Sequence, residues 1–186
     1  MISVRLKKHD RNYTEVISQL MSDPLVQHSL GLNWQQVSIY GTRDYIEFIQ
    51  GEERMGKQLS RVIFNEKDEL MGIVTLKAID RQNKTAHIGT WLGAAYWGKG
   101  YNELAKLEMF KIAFEELGLH YVFAGAKKTN IRSLRAQRKL PYLTEDVGNA
   151  FPEELLKIEA ETGETCVLNV IKKEKFLHYL NELTIV

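Results

Sequence analysis

Only one cysteine, Cys166, occurs among the 186 residues of the sequence. A single cysteine excludes a disulfide within the chain and a cysteine-rich zinc site, and we predict no other metal site. Because Cys166 lies in an apolar run with Val167 and Leu168, we predict that its thiol is buried and unreactive.

Long apolar runs are also missing from the sequence. None approaches the roughly 20 residues that a membrane-spanning helix requires. The basic residues near the N-terminus, which include Arg5 and Lys7, are not followed by the apolar core of a signal peptide. The sequence therefore predicts a cytoplasmic protein that does not contact a membrane.

Neither sign of charge dominates the composition. The chain has 25 Lys and Arg residues against 24 Asp and Glu residues, which gives a formal net charge of +1. This balance offers no attraction for nucleic acid, and we predict no such partner. Hydrophobic residues at 44% and charged residues at 26% are typical of a soluble globular protein. The length suits one domain, so residues 1–186 are predicted to form a single domain.

The most informative stretch runs from Ala86 to Leu140. An apolar strand is predicted at Ile88 to Leu92 and a second at Tyr121 to Ala124, with a long amphipathic helix between them. The helix has apolar residues at helical spacing, namely Leu104, Leu107, Phe110, Phe114 and Leu117, and Gly118 follows as its expected left-handed cap. A strand, a crossover helix and a strand in this order predict a parallel pair of strands.

The turn before this helix reads Trp97-Gly98-Lys99-Gly100. Successive backbone N–H groups at a helix N-terminus, with a lysine beside them, are typical of a phosphate site. Two familiar phosphate loops do not fit, because a Walker loop needs Ser or Thr after the lysine and a dinucleotide fingerprint needs a third glycine where Glu103 stands. A plain tight turn remains the alternative.

The rest of the chain predicts a mixed, mostly antiparallel α/β sheet with helices on both faces. Helices are expected after Asn12, at Pro24 and from Thr42 to Gly51. The remaining predicted elements are a first strand at residues 1–6, a hairpin of residues 61–64 and 70–79, a helix at 152–161, a strand at 166–171 and a helix at 173–183.

These motifs together resemble the GNAT superfamily of N-acetyltransferases, and within it the RimJ/RimL-like branch. The resemblance is carried by Tyr96-Trp97-Gly98-Lys99-Gly100-Tyr101, by the helix ending in Ala-Phe-Glu-Glu-Leu-Gly-Leu, and by Asn130-x-x-Ser133. It implies the GNAT fold and acetyl-CoA as co-substrate. It further implies that the pyrophosphate is held by the amides of Trp97, Gly98, Lys99, Gly100, Tyr101 and Asn102, and the pantetheine arm by the backbone of Trp91, Leu92 and Gly93.

The resemblance also suggests catalytic residues. His87 stands where many relatives have a carboxylate, and an imidazole can accept a proton near neutral pH. We expect His87 to face a cleft, with an ordinary strand residue as the alternative and a glutamate of residues 153–161 as the next candidate base. Asn130 matches a pantetheine-binding asparagine and Ser133 a proposed acid for the leaving thiolate. Both residues could instead cap a helix. A second, shorter helix is predicted after the strand Tyr121 to Ala124, with Asn130 and Ser133 at its start and its end at Leu140. The tyrosine that many relatives use on this helix is replaced by Gln137.

The predicted function is transfer of an acetyl group from acetyl-CoA to a primary amine by direct attack, without a covalent acetyl-enzyme. The acceptor could be a protein N-terminus, a polyamine, an amino acid or an aminoglycoside. The N-terminal helices of the resembled family help to line the acceptor site, so Trp34, Tyr40 and Tyr45 either do so here or pack as ordinary core residues. The alternative function is a non-catalytic module that binds acyl-CoA or a partner protein. Dimers are frequent in the family, so a homodimer is possible.

Overall fold

The computed structural model describes residues 1–184, and its strands form one mixed sheet. The strands are β1 (Val4–Lys7), β2 (Leu59–Asn65), β3 (Leu70–Asp80), β4 (Thr85–Leu92), β5 (Tyr121–Lys127), β6 (Leu143–Thr144) and β7 (Cys166–Lys172). They hydrogen-bond in the order β1-β2-β3-β4-β5-β7-β6. The pairs β1–β2, β2–β3, β5–β7 and β6–β7 are antiparallel, whereas β4 and β5 are parallel. The predicted mixed and mostly antiparallel sheet is therefore confirmed.

The helices follow the predicted order along the chain, apart from the short helix α3, which was not predicted. They are α1 (Thr14–Met21), α2 (Pro24–Leu30), α3 (Trp34–Val37), α4 (Ile39–Arg54), α5 (Tyr101–Lys111), α6 (Ile131–Arg138), α7 (Pro152–Thr162) and α8 (Lys173–Thr184). A π-helical turn (Ile112–Glu116) follows α5, and the N–H of Leu117 donates to the carbonyl of Ile112 at 3.0 Å. In residues 1–184, no helix is both long enough and apolar enough to cross a membrane.

Two helix starts differ from the prediction. Asp10, rather than Asn12, accepts a capping bond, and it opens a short 3₁₀ turn before α1. Helix α4 begins at Ile39 because the Ser38 side chain accepts the N–H of Gly41, so Thr42 lies buried inside the helix. The predicted end at Gly51 was also wrong, since α4 continues to Arg54. Serine and threonine are both good N-cap residues. Ser38 comes earlier in the chain and has the extended conformation of an N-cap, so α4 begins directly after it.

The chain divides by its contacts into two compact units. The first comprises Met1–Lys77 and Gly89–Lys111, and the second comprises Ala78–Ile88 and the chain from Ile112 onward. The division of the whole chain into one domain stays a prediction.

The core of the first unit forms where helices α1 and α4 pack on strands β2 and β3. Its buried residues are Ile17, Met21, Val37, Ile46, Val62, Phe64, Leu70 and Ile73. Helix α2 is bounded by strong local signals, because the Asp23 side chain caps it, Pro24 occupies its first position and Gly31 ends it at φ = 65°. These caps fix where the helix begins and ends.

The second unit has its core between helix α7 and strands β5 and β7. The buried residues are Phe123, Val147, Ile158, Cys166, Leu168 and Val170. At Gly125 an added Cβ would lie 2.4 Å from Cδ1 of Ile158, so α7 can pack this closely only because the strand has no side chain there. The predicted burial of Cys166 is confirmed, since only 4% of the residue is exposed.

A buried histidine in the first unit makes stability depend on pH. Nε2 of His9 lies 2.8 Å from Oγ of Ser60, which lies 2.7 Å from Oγ1 of Thr75. Burial, and then the positive charge of Arg61, lower the pKa of His9 from 6.5 to about 4. The folded state therefore disfavours the protonated ring. The stability that the neutral ring contributes is fully present above about pH 6.5 and declines as the pH falls toward about 4.

We expect the free energy of unfolding to fall by about 3 kcal/mol across this window through His9 alone. Urea unfolding near neutral pH and at about pH 4.5 measures the loss. In His9→Gln, which keeps a hydrogen-bonding group beside Ser60 but does not titrate, the pH dependence should be much shallower. The matched control is His178→Gln, because that side chain is 75% exposed. An unchanged pH dependence in His9→Gln would contradict the assignment.

Candidate active site

The glycine turn of the first unit has the geometry of an anion site. Gly98 and Gly100 have φ of 71° and 86°, in the left-handed region that favours glycine. The carbonyl of Gly100 accepts the N–H of Leu104 at 3.3 Å, so the helical hydrogen bonds of α5 start there. The amides in the first turn of a helix have no partner within the helix. Gly98 and Lys99 are exposed, which places this end of α5 at the surface.

Internal bonds hold the turn in place. The indole Nε1 of Trp97 donates to the carbonyl of Leu92 at 2.8 Å, and the Trp97 N–H donates to the carbonyl of Ala94 at 3.2 Å. The Tyr101 hydroxyl, at the start of α5, donates to Oε1 of Glu66 at 3.1 Å. The Trp97 amide is thus used within the turn, and phosphate binding by the amides from Trp97 to Asn102 stays a prediction.

The end of strand β4 was predicted to bind the pantetheine arm. The Gly93 N–H donates to the carbonyl of Met71 at 2.8 Å, and the Gly93 carbonyl accepts the N–H of Tyr96 at 3.0 Å. The N–H of Gly93 is therefore used by the fold itself, whereas its carbonyl keeps a second lone pair, and a role of Gly93 in binding the arm stays a prediction. The role of Trp91 and Leu92 stays a prediction.

A pocket of about 950 Å³ opens in the first unit. The predicted acceptor residues Trp34, Tyr40 and Tyr45 all line it. Trp34 and Tyr40 are 73% and 75% exposed, so these two rings are not core residues. The other lining residues, which were not predicted for the acceptor site, are Met21, Leu30, Leu32, Gln35, Gln36, Ser38, Gly41, Asp44, Phe48, Lys77 and Trp91. The binding role of the pocket stays a prediction.

Tyr45 lies in the wall of this pocket. Burial raises the pKa of Tyr45 above its usual range, and the nearby hydroxyls of Ser60 and Thr75 only partly oppose this. The residue is therefore a neutral phenol at physiological pH.

His87 lies in the second unit beside a carboxylate. Its Nε2 is 2.5 Å from Oε2 of Glu154, which belongs to the first turn of α7. The expectation that His87 faces an open cleft was wrong, because the residue is only 6% exposed and its ring lies 5.3 Å from that of Phe123. Helix α7, packed onto β5, covers this part of the sheet.

Glu154 is held in its ionised form. Its Oε1 accepts a hydrogen bond from Nζ of Lys157 at 2.7 Å. Burial alone would raise the pKa of Glu154, but the bonds from Lys157 and His87 and their charges lower it below its usual value. The arrangement is therefore an imidazole against a carboxylate anion, which fixes the orientation of the ring and stabilises its protonated form.

Asn130 and Ser133 have the capping geometry that was their alternative role. Oδ1 of Asn130 accepts the N–H of Ser133 at 3.1 Å and caps α6. Oγ of Ser133 lies 3.4 Å from Nε2 of Gln137, whose Oε1 accepts from Nδ2 of Asn169 at 2.7 Å. Capping uses the Asn130 oxygen and leaves the hydroxyl proton of Ser133 for other partners. Cofactor binding by Asn130 and acid catalysis by Ser133 stay predictions.

Comparison with known proteins assigns the family. Residues 4–141 match the model of the acetyltransferase (GNAT) domain. The chain is 29% identical to the N-acetyltransferase p20 of Bacillus licheniformis over 75% of this chain and 79% of that protein. It is 31% identical to the ribosomal-protein-serine acetyltransferase of Escherichia coli (strain K12) over 53% of this chain and 55% of that protein. Mycobacterium smegmatis RimJ, solved with a CoA disulfide, has a TM-score of 0.73 at 18% identity, covering 92% of this chain and 83% of that chain.

The chain belongs to the GNAT acetyltransferase family and is an N-acetyltransferase. The predicted resemblance to the RimJ/RimL-like branch is confirmed. So is the predicted GNAT fold.

Proposed function

We propose that this chain transfers the acetyl group of acetyl-CoA to a primary amine by direct attack. The observation that carries the proposal is the turn with two left-handed glycines at the N-terminus of α5. An added Cβ at Gly98 would meet no protein atom within 4 Å, so the backbone there is open to an approaching ligand. Family membership supports acetyl-CoA as that ligand.

Each part of the cofactor has a proposed set of residues. The amides from Gly98 to Asn102 and the partial positive charge of the α5 N-terminus bind the pyrophosphate, with Lys99 adding a full charge. Trp91 and Leu92 bind the pantetheine arm through their backbone, and Asn130 binds it with its side-chain N–H groups.

The transfer needs one proton acceptor and one proton donor. The amine nitrogen attacks the thioester carbon, the carbon–sulfur bond breaks, and the amine gives up a proton. We assign that proton to His87, whose ring is held by Glu154, and it is transferred directly or through water. Ser133 donates a proton to the leaving thiolate and recovers one from solvent. No side chain becomes acetylated.

The amine acceptor binds in the pocket of the first unit. The name of the Escherichia coli relative suggests a protein N-terminus, and the Microcin C7 immunity acetyltransferase MccE, solved with acetyl-CoA and AMP, suggests a small molecule. A cytoplasmic location, expected from the sequence, is part of the proposal, and a homodimer is added only because dimers are frequent in the resembled family.

Acetyl-CoA should stabilise the folded protein, because it binds the native turn and not the unfolded chain. At a hundredfold excess over its dissociation constant, the free energy of unfolding should rise by about 2.7 kcal/mol. Thermal melting with acetyl-CoA measures this. Free CoA should act similarly, since the pyrophosphate is the main anchor, and ATP should act less.

Two outcomes separate the possibilities. A melting temperature unmoved by saturating acetyl-CoA in a folded sample removes the proposal. Stabilisation by acetyl-CoA without thiol release, on a panel of protein, polyamine, amino-acid and aminoglycoside amines, favours the non-catalytic binding module instead.

A further inference from the structure

Helix α4 has two apolar faces, and only one of them is used by the core. Thr42, Ile46 and Ile49 are buried. Tyr40, Asp44 and Phe48 follow each other at intervals of four residues, so they share another face. That face lines the pocket of the first unit.

The aromatic rings at this pocket are exposed to solvent. Trp34 and Tyr40 are 73% and 75% exposed, and Phe48 is 55% exposed. Single exposed apolar residues are common, but several at one pocket mark a binding surface. Tyr45 and Trp91 complete the aromatic lining, and Met21, Leu30 and Leu32 add aliphatic surface. A ligand with an apolar body would remove this surface from water.

The charges at the pocket fit a ligand with one positive charge. Of the lining residues, all within the described part of the chain, Asp44 is the only acidic one. It stands on α4 between Tyr40 and Phe48, so an ammonium group beside its carboxylate also lies near aromatic rings, which attract cations. A second ammonium group would find no second carboxylate among these lining residues. Polyamines and aminoglycosides, which carry several positive charges, fit this lining poorly.

The size of the pocket favours a small molecule. Its volume of about 950 Å³ lies near the upper end of the range usual for small-molecule sites. A ring system with a short amine-bearing chain fits within it.

We propose that the acceptor is a small monoamine whose amino group is carried on an aromatic or bulky aliphatic body. This inference rests on the proposed function, because it takes the pocket as the acceptor site. Asp44 attracts the ammonium form, and the rings of Trp34, Tyr40 and Phe48 cover the body. The amine loses its ammonium proton before it attacks the thioester.

A matched set of acceptors tests the proposal. With saturating acetyl-CoA, thiol release is followed for 2-phenylethylamine, tryptamine, spermidine and a short peptide that begins with serine. We expect kcat/KM for the two aromatic monoamines to exceed that for spermidine and the peptide by roughly tenfold or more, which is the effect of burying one ring.

Variants assign the preference to the pocket. Phe48→Ala should raise KM for 2-phenylethylamine by roughly tenfold while the affinity for acetyl-CoA is unchanged. Asp44→Asn should raise KM for the monoamines while a neutral aromatic alcohol binds as before, measured as a competitive inhibitor. The control is Leu25→Ala, because that residue is 62% exposed in the same unit but does not line the pocket.

The outcomes distinguish this inference from the proposed function. A preference for spermidine or the peptide overturns the monoamine proposal and leaves the acetyltransferase reaction standing. Binding of 2-phenylethylamine, detected by quenching of tryptophan fluorescence that Phe48→Ala weakens, supports the proposed ligand class even without thiol release. In that case only the proposed function fails. Equal effects of Phe48→Ala and Leu25→Ala on KM also overturn the monoamine proposal.

Discussion

Gly98→Val should fold and should bind acetyl-CoA roughly a hundredfold more weakly than the unsubstituted chain. Gly98 has φ = 71°, and a β-branched residue is strained in that conformation. An added Cβ would meet no protein atom, so the fold can accommodate the side chain, which would stand beside the amides proposed to hold the phosphate. Loss of one or two charge-assisted bonds from backbone amides, at about 1.5–3 kcal/mol each, gives the expected factor.

The strain at Gly98 needs a matched control. Gly163 has φ = 69° and also has no atom near its added Cβ, but it ends helix α7 and is not one of the predicted cofactor-binding residues. Gly163→Val should therefore lose a similar amount of stability and keep its affinity for acetyl-CoA. Far-UV circular dichroism confirms the fold of both variants, and calorimetric titration measures binding. Normal binding by a folded Gly98→Val protein would show that this turn does not hold the pyrophosphate.

Much of the fold could be predicted because local signals agree with it. Asp23 and Pro24 start α2, Gly118 has the expected left-handed conformation, and Gly163 ends α7 as predicted. The glycine turn before α5 could also be predicted, since two closely spaced glycines directly before an amphipathic helix are typical of a turn that presents its amides to an anion; phosphate binding there stays a prediction. Such features depend on a few consecutive residues, which the sequence displays directly.

The lining of the pocket in the first unit was only partly predicted, and one reason is a helix boundary. The prediction started a helix after Thr42, so Tyr40 fell outside it and could not share a helical face with Asp44 and Phe48. Ser38 caps the real helix. In a helix that begins at Ile39, Tyr40, Asp44 and Phe48 recur every four residues, so the sequence then predicts that their side chains share one face.

The contact between His87 and Glu154 could not be predicted in the same way. The two residues are 67 positions apart, and no periodicity links them. Their contact depends on how α7 packs over strand β5, where Gly125 allows Ile158 to approach. Residues 153–161 were expected to supply an alternative base, but only the packing shows which glutamate meets the imidazole.

His87→Gln should lower turnover by roughly 10²–10⁴, the usual effect of losing a general base. Glutamine keeps a hydrogen-bond donor for Glu154 and much of the packing against Phe123, but its amide cannot take a proton. The affinity for acetyl-CoA should be unchanged. Turnover of the variant and of the wild type must be compared under conditions in which both are folded. Glutamine is chosen because His87 is buried and a smaller residue than glutamine would leave a cavity.

Glu154→Gln tests whether the carboxylate acts through His87. The wild-type rate should rise with pH as the imidazole loses its proton, because only the neutral ring can accept one. The ionised Glu154 stabilises the protonated ring, so its removal should move this acidic limb to lower pH. The rate on the plateau should also fall, since the ring becomes a weaker base and loses its fixed orientation. Glu153→Gln, an exposed neighbour in the same helical turn, should change neither property.

His87→Glu makes the assignment more specific, because it restores the carboxylate that relatives of this kind often have at the position. Two carboxylates would then face each other, and like charges raise the pKa of one of them. The single variant His87→Glu should recover part of the rate that His87→Gln loses. The double variant His87→Glu with Glu154→Gln should recover more, because the repulsion between the two carboxylates is removed. Rates are compared in single turnovers with acetyl-CoA bound, so that product release does not mask the chemical step. Turnover of folded His87→Gln at the wild-type rate would place the base elsewhere and leave the buried imidazole–carboxylate contact as a structural link between β4 and α7.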